Sequence, residues 1–117
     1  MKTNKNFFIF IYGKSRGGLS ASAYFITDHD NFMDSDAVTC NGGALACIGS
    51  ALERALLVAQ SMNASRITIC SDELTLEAIK ENNEKILRRF PHVSFMVVGS
   101  NPAEKIAQVA LLKRMGW

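Results

Sequence analysis

Few residues in this chain have the type and spacing that chemistry needs. Lys14 and Ser15 stand side by side and could pair a base with a nucleophile, but the glycines around them explain both as turn residues. Two carboxylates are more informative, because Asp72 directly follows a strand-like run and Glu104 lies in the first turn of the last predicted helix. Either acid could offer oxygen ligands to a hard cation. Each also has a structural explanation, Asp72 as a helix cap and Glu104 as an acid stabilised by the helix dipole.

The three cysteines give no sign of a metal site. Cys40, Cys47 and Cys70 are an odd number at wide spacings, and none forms a Cys-x-x-Cys pair. Cys47 falls on an apolar helical face and Cys70 in a strand-like run. We therefore predict free, buried thiols in a reducing compartment.

Length and composition restrict the class of protein. A chain of 117 residues with 48% hydrophobic residues predicts one domain, spanning 1–117, with one core. The net charge of +2 does not indicate nucleic acid, but it allows a local basic patch. The apolar run Phe7–Ile11 is too short for a membrane span or a signal-peptide core, so we predict a cytoplasmic protein without a membrane partner.

Hydrophobic periodicity and turn residues predict nine elements. A long helix over Ala44–Met62 has an apolar face on which Leu45, Ile48, Leu52 and Leu56 are expected to pack against a sheet. The predicted strands are Phe7–Tyr12, Leu19–Thr27, Ser35–Cys40, Arg66–Cys70 and Val93–Val98. The other predicted helices are Glu73–Glu81, Glu84–Phe90, which Pro91 ends, and Ala103–Arg114, in which Pro102 suits the first position.

This order predicts an α/β fold. A three-stranded antiparallel meander followed by two helix–strand crossovers gives a five-stranded mixed sheet with helices on both faces. The continuous apolar runs Phe7–Ile11 and Ile67–Cys70 are typical of strands covered on both faces. We therefore expect the first strand to be central, flanked by the second and fourth.

Four short motifs lie in order along the predicted elements. They are Ile11–Gly18, similar to the pattern T-D-G-S-x-x-G-N; Thr39–Leu45 with Ala51–Glu53, similar to T-N-N-x-A-E-L followed by A-L-E; Ile67–Asp72, similar to a fourth strand that ends in Ser-Asp; and Ala103–Ala110, similar to A-D-x-L-A-x-x-A. Together with the order of elements, these motifs resemble the ribonuclease H family over nearly the whole chain, and the resemblance implies a ribonuclease H-like fold.

In that family four carboxylates hold two divalent metal ions, which activate a water and stabilise the leaving oxygen. Carried over residue by residue, the first-strand aspartate position holds Tyr12 and the first-helix glutamate position holds Ala44. Asp72 matches the fourth-strand aspartate. The last position is Glu104 if the final helix is aligned by its apolar residues, or Lys105 if the alignment starts from Asn101.

Other acidic residues are poor substitutes. Glu53 lies nine residues after Ala44 and is expected to point to the opposite side of the helix. Asp34 and Asp36 belong to the predicted edge strand, and Glu73 projects away from Asp72. The family's mobile histidine has no counterpart. We expect no cofactor, or a weakly held Mg²⁺ or Mn²⁺ at Asp72 if activity remains.

The resemblance also implies a nucleic-acid contact surface. In the family's fold the loops that carry Lys14, Arg16 and Asn41 face the nucleic-acid groove, and Asn41 stands where the family places an asparagine near the sugar-phosphate backbone. An ordinary polar turn is the alternative. A second basic cluster, Lys85 with Arg88 and Arg89, is expected to be a solvated face.

These observations lead to three hypotheses. The first is a catalytically degenerate ribonuclease H-like domain that binds nucleic acid, either an RNA–DNA hybrid or structured RNA, or that binds protein. The second is a divergent metal-dependent ribonuclease that cuts the RNA strand of hybrids with Asp72 and Glu104. The third is a homodimer formed through the exposed sheet edge or the last helix.

Overall fold

The computed structural model describes residues 5–29, 31–90 and 92–116. It contains a five-stranded sheet in the order β3-β2-β1-β4-β5. The strands are β1 (Asn6–Arg16), β2 (Leu19–Asp28), β3 (Asn31–Asn41), β4 (Arg66–Ser71) and β5 (Val93–Val97). The helices are α1 (Ala44–Ser61), α2 (Glu73–Asn82), α3 (Glu84–Leu87) and α4 (Ala103–Arg114).

Strand β1 is central, as the sequence predicts. It pairs antiparallel with β2 and parallel with β4, where Phe7 lies opposite Ile67 and Phe10 opposite Cys70. The side chains of Phe7, Ile9 and Ile11 on one face are almost fully buried. The predicted mixed sheet with an antiparallel first half is therefore confirmed.

The β1–β2 hairpin is longer than predicted. Strand β1 continues to Arg16, which pairs with Leu19, and only Gly17 and Gly18 form the turn. Both glycines have positive φ, 59° and 80°, which a two-residue turn with the twist of the flanking strands requires. The prediction that Lys14 and Arg16 lie in a turn was wrong. Both residues belong to β1, and the turn contains only the glycine pair.

Two other boundaries differ from prediction by more than one residue. Strand β3 begins at Asn31 rather than Ser35, because pairing with β2 continues past a register shift at Ile26 and Thr27. Helix α3 ends at Leu87 rather than Phe90. The predicted helix stop at Pro91 lies outside the described residues.

Helix α1 covers one face of β1 and β2. Ile48, Leu52 and Leu56 are at most 5% exposed, as predicted, but Leu45 is 55% exposed and its predicted burial was wrong. Leu45 lies on the same side of the helix as Leu52, so its exposure arises from its position along the axis: it belongs to the first turn, and burial begins at Cys47.

The apolar character of α1 is explained by its place in the core. By length and mean hydropathy of 1.2 the helix could cross a membrane. In this fold its apolar residues instead pack on the sheet; the buried ones are Cys47, Ile48, Ala51, Leu52, Ala55, Leu56 and Ala59. Helix α2 adds Leu76 and Ile79 to the same core.

The opposite face of the sheet is covered by α4 through small residues. Ala103 and Ala107 are fully buried against Ala23, and the rings of Phe10 and Tyr12 pack around them. Because these side chains are methyl groups, the helix backbone lies close to the sheet. The predicted helices on both faces are therefore confirmed.

Helix α1 should contribute strongly to stability through Leu52. We expect Leu52→Ala to lower the free energy of unfolding by about 2–5 kcal/mol, because it leaves a cavity at a fully buried position. Leu45→Ala is the matched control, and we expect it to cost less than about 1 kcal/mol. Urea unfolding of both variants measures the difference, and similar losses would mean that the buried face is wrongly assigned.

Candidate functional site

The parallel pairing of β1 and β4 ends at Phe10 and Cys70, and the next backbone carbonyl is held by side chains. The Ile11 carbonyl accepts hydrogen bonds from the Ser71 hydroxyl at 2.7 Å and from the Asn101 side-chain amide at 2.9 Å. This place is the carboxyl end of adjacent parallel strands, where open α/β sheets commonly bind ligands.

Asn101 connects the start of α4 to this end of β1. Its side-chain oxygen accepts from the Ala103 amide at 2.9 Å, and its carbonyl accepts from the Glu104 amide at 3.1 Å. Pro102 already has helical dihedrals, φ −64° and ψ −20°, so Asn101 caps the helix and Pro102 takes the first position, as predicted. The Asn-Pro pair signals the helix start, but nothing in the sequence signals the bond to Ile11.

Tyr12, Asp72 and Glu104 come together at this end of the sheet. Burial raises the pKa of Tyr12 above its ordinary value, and the negative charges of Glu104 and Asp72 raise it further. Lys105 instead lines an apolar cleft beside Ile106 and Val109. The structure therefore places Glu104, rather than Lys105, beside Tyr12.

Ala44 lies on the other flank of β1, next to Gly13. A Cβ atom built on Gly13 would lie 3.7 Å from the Ala44 methyl and 2.5 Å from Cγ1 of Ile48. Glycine is therefore needed where α1 approaches the strand. The four positions that the resemblance singles out, Tyr12, Ala44, Asp72 and Glu104, thus lie around the part of β1 just beyond its parallel pairing with β4.

Asp72 caps α2, which is one of the two roles predicted for it. One carboxylate oxygen accepts from the Thr75 amide at 2.8 Å and the other from the Thr75 hydroxyl at 2.7 Å. Burial alone would raise the pKa of Asp72, but these hydrogen bonds outweigh it and hold the pKa below its ordinary value. The carboxylate is therefore ionised and engaged within its own helix.

Lys14, Arg16 and Asn41 meet at one corner of the sheet, which we call the basic corner. Arg16 on β1 and Asn41 on β3 are both in register with Leu19 on the strand between them, so they lie at the same end of the sheet, one strand apart. Lys14 and Arg16 point to the α4 face and lie about 7 Å apart along β1. They line a cleft of about 270 Å³ with Gln108, Leu111, Leu112 and Met115.

The turn that carries Asn41 is held against the hairpin. The Gly42 amide donates to the Gly18 carbonyl at 2.7 Å, and the Ser20 hydroxyl donates to the Gly42 carbonyl. Gly42 has a φ of 99°, which favours glycine at this position. The basic corner is therefore built on strands and fixed turns rather than on long loops.

Solved structures share this architecture at low sequence identity. The N-terminal ribonuclease H domain of a Mycobacterium tuberculosis protein, solved as a fusion with maltose-binding protein, matches with a TM-score of 0.81 and 15% identity, covering 97% of this chain and 98% of that chain. The chain has the ribonuclease H fold.

Two further structures agree. The LC11 ribonuclease H1 isolated from compost matches with a TM-score of 0.73 and 19% identity, covering 95% of this chain and 99% of that chain. Ribonuclease H1 from the archaeon Halobacterium salinarum matches with a TM-score of 0.69 and 16% identity, covering 93% of this chain and 98% of that chain. No protein-family model matches the sequence, and a search of curated proteins finds no match. At such identities the likeness establishes the fold and not the activity.

On this ribonuclease H fold the residues do not fit a centre with two divalent ions. Such a centre needs several carboxylates to offset the repulsion between the ions. Within residues 5–29, 31–90 and 92–116 no group of three or more His, Cys, Asp or Glu side chains is placed to hold a metal ion. Asp72 and Glu104 are the acids beside Tyr12, and both Asp72 oxygens already accept hydrogen bonds from Thr75.

Three of the other acids lie away from this site. Asp34 accepts a hydrogen bond from the Tyr24 hydroxyl at 2.8 Å, and Asp36 pairs with Arg54 at 2.8 Å, both on the edge strand β3. Glu53 lines an open groove between α1 and α3, away from Tyr12. None of these side chains completes the site.

The second basic cluster differs from the basic corner. Lys85, Arg88 and Arg89 are exposed on and after α3, and Arg88 forms an ion pair with Glu84 one turn earlier. This agrees with the predicted solvated face. It also provides a matched control for mutations at the basic corner.

The cap at Asp72 should make stability depend on pH. Because folding lowers the pKa of Asp72, its contribution is present above the unfolded value near 3.9 and is lost as the pH falls through the lower folded value. We expect Asp72→Ala to cost about 0.5–2 kcal/mol at pH 7 and Asp72→Asn to cost less, since asparagine also caps. Urea unfolding at pH 7 and pH 3 should show the Asp72→Ala cost shrinking at low pH; an equal cost at both would contradict the role of the charge.

Proposed function

We propose that this domain binds nucleic acid at the basic corner and does not hydrolyse the RNA strand of a hybrid. The observation that carries the proposal is that β1 presents, along one face, a tyrosine where the fold's metal site would need an acid, followed by Lys14 and Arg16. The two cations thus lie next to a site with few carboxylates.

The basic corner suits a phosphate backbone. Lysine offers a point charge and arginine a planar fork of donors that matches phosphate oxygens. Asn41 adds a neutral amide at the same corner, and the exposed side chain of Leu112 in the cleft offers an apolar surface to a sugar or a base. An RNA–DNA hybrid or structured RNA is the proposed ligand, because shape and backbone contacts dominate recognition of such duplexes.

The absence of cleavage follows from the ligands available. A phenol with an ordinary pKa near 10, raised further here, stays neutral near pH 7 and is a poor ligand for Mg²⁺. The Ala44 methyl offers a metal ion nothing. With two metal ions weakly held, neither the attacking water nor the leaving oxygen would be stabilised.

A homodimer is the second candidate. Val109 and Leu112 on α4 are 44% and 41% exposed, and an apolar cleft lies beside Val109 between Phe25 and Ile106. These residues are separate from Lys14 and Arg16 on β1, although Leu112 adjoins both surfaces. Mutation can therefore distinguish the two candidates.

We expect no hydrolysis of a labelled RNA–DNA hybrid at a ribonuclease-like rate, with Mg²⁺ or with Mn²⁺. We also expect the single variants Tyr12→Asp and Ala44→Glu to remain inactive, because each adds only one of the missing acids. Only the double variant supplies four carboxylates with Asp72 and Glu104, and it is the one for which calorimetry should detect metal binding. Gel assays of cleavage run in parallel.

The control for cleavage is Asp72→Asn in the unmodified background. Cleavage by the unmodified protein that Asp72→Asn abolishes would establish the divergent ribonuclease instead. Unfolding curves of the double variant without metal are needed as well, because three or four acids in close proximity repel one another and lower stability.

Binding should depend on salt and on the basic corner. We expect the double variant Lys14→Gln/Arg16→Gln to weaken binding to a short hybrid and to reduce the slope of log K against log salt by roughly 1.4–1.8, since each lost phosphate contact removes about 0.7–0.9. Fluorescence anisotropy over a salt series measures both quantities.

Arg88→Gln/Arg89→Gln is the matched control, because it removes the same amount of charge from the other basic cluster. An equal loss of affinity in both double variants would mean unspecific electrostatic attraction and would contradict binding at the basic corner. No binding by the unmodified protein, together with a mass that rises with concentration, would favour the homodimer.

A further inference from the structure

Cys40 and Cys47 occupy neighbouring places on the face of the sheet that α1 covers. The Cys47 thiol donates to the Val38 carbonyl at 3.3 Å and to the Ser20 carbonyl at 3.7 Å. Ser20 is the cross-strand partner of Cys40. Cross-strand partners and alternate residues of a strand share a face, so Cys40 and Val38 both point to the side where Cys47 lies.

The two thiols are close enough to affect each other. Burial raises the pKa of Cys47 to about 12, and the neighbouring Cys40 thiol contributes to the increase. Cys47 is fully buried, whereas Cys40 is half-buried at the end of β3. One thiol of the pair is therefore within reach of a small oxidant and the other is shielded.

We propose that Cys40 and Cys47 form an oxidation site at which hydrogen peroxide produces a reversible disulfide within the chain. The Cys40 thiolate attacks a peroxide oxygen, the O–O bond breaks, and hydroxide leaves as water after protonation, which gives a sulfenic acid. The Cys47 sulfur then attacks the Cys40 sulfur, the S–O bond breaks and a second water leaves. Two thiols lose two protons and two electrons, and one peroxide takes them up to give two waters.

The surrounding structure favours this bond over other outcomes. The turn between the two cysteines is already held by the Gly42 amide, which donates to the Gly18 carbonyl at 2.7 Å, so the thiols stay adjacent without ordering a loop. Cys47 reacts second, because it is fully buried and shielded from peroxide, whereas the sulfenic acid forms on the half-buried Cys40 beside it. This chemistry does not depend on nucleic-acid binding.

Cys70 serves as an internal control. It is buried in β4, and burial alone raises its pKa to about 11. In the β1–β4 register it lies opposite Phe10 on the α4 face, whereas Cys40 and Cys47 lie on the α1 face. The sheet therefore separates Cys70 from the pair.

Trypsin separates the pair from the control. Cys40 and Cys47 fall in one tryptic peptide, 17–54, and Cys70 falls in another, 67–80. After treatment of the folded protein with peroxide, followed by denaturation and alkylation, we expect peptide 17–54 to be about 2 Da lighter than its reduced form and unalkylated. Peptide 67–80 should be alkylated, and dithiothreitol should reverse the change. Tm of the oxidised protein should rise by about 5–10 °C, because the disulfide restricts the unfolded chain.

Two variants make the test specific. Cys40→Ser, at the half-buried position, should abolish the loss of mass and the rise in Tm, and Cys70→Ala should retain both. A disulfide that includes Cys70, a bond between two chains, or over-oxidation of Cys40 without a disulfide would each overturn the proposal. So would a disulfide in peptide 17–54 that forms only after unfolding.

Discussion

The hydrogen bonds to the carbonyl of Ile11 hold the candidate site together. Beyond Phe10 the parallel ladder between β1 and β4 stops, and a buried carbonyl without a partner would cost about 1–3 kcal/mol. Ser71 and Asn101 supply two donors, at 2.7 Å and 2.9 Å. Because Ser71 precedes Asp72 and Asn101 precedes α4, this one acceptor fixes where both acids stand relative to β1.

Small side chains on α4 make this arrangement possible. Ala103 and Ala107 let the helix lie close to the sheet, so that Glu104 comes near the ring of Tyr12. A larger residue at either alanine would push the helix outward and separate Glu104 from β1. The position of the acid is therefore a consequence of packing on the opposite face from the main core.

Sequence patterns predicted most of the fold because its main signals are local. The continuous apolar run Phe7–Ile11 identified the central strand, and the periodicity of α1 identified Ile48, Leu52 and Leu56 as core residues. The predicted burial of Leu45 was wrong because periodicity shows on which face of the helix a residue lies. It does not show whether the sheet extends beneath that turn of the helix. Lys14 and Arg16 were assigned to a turn because nearby glycines indicate that a turn is present but not where it begins. The hydrogen bonds between the two strands fix that boundary.

The site was less predictable, because it depends on register between distant segments. The choice between Glu104 and Lys105 required the packing of α4 on β1, and the bond from Asn101 to Ile11 spans 90 residues. The contact between Cys40 and Cys47 likewise follows from the β2–β3 register and from the first turns of α1. The spacing of residues along the chain does not predict any of these contacts between distant segments.

Tyr12 and Ala44 stand where the family resemblance implies acids, and this difference bears on the charge balance at that end of the sheet. Four carboxylates at one end of a sheet repel one another, and divalent ions or protonation must offset that repulsion. Here Asp72 is instead held by Thr75, and Glu104 lies in the first turn of α4, where the helix dipole favours an acid. Each remaining charge is thus stabilised by its own helix. The same substitutions leave the cations of Lys14 and Arg16 less opposed by nearby negative charge, which favours a polyanion at that end of β1.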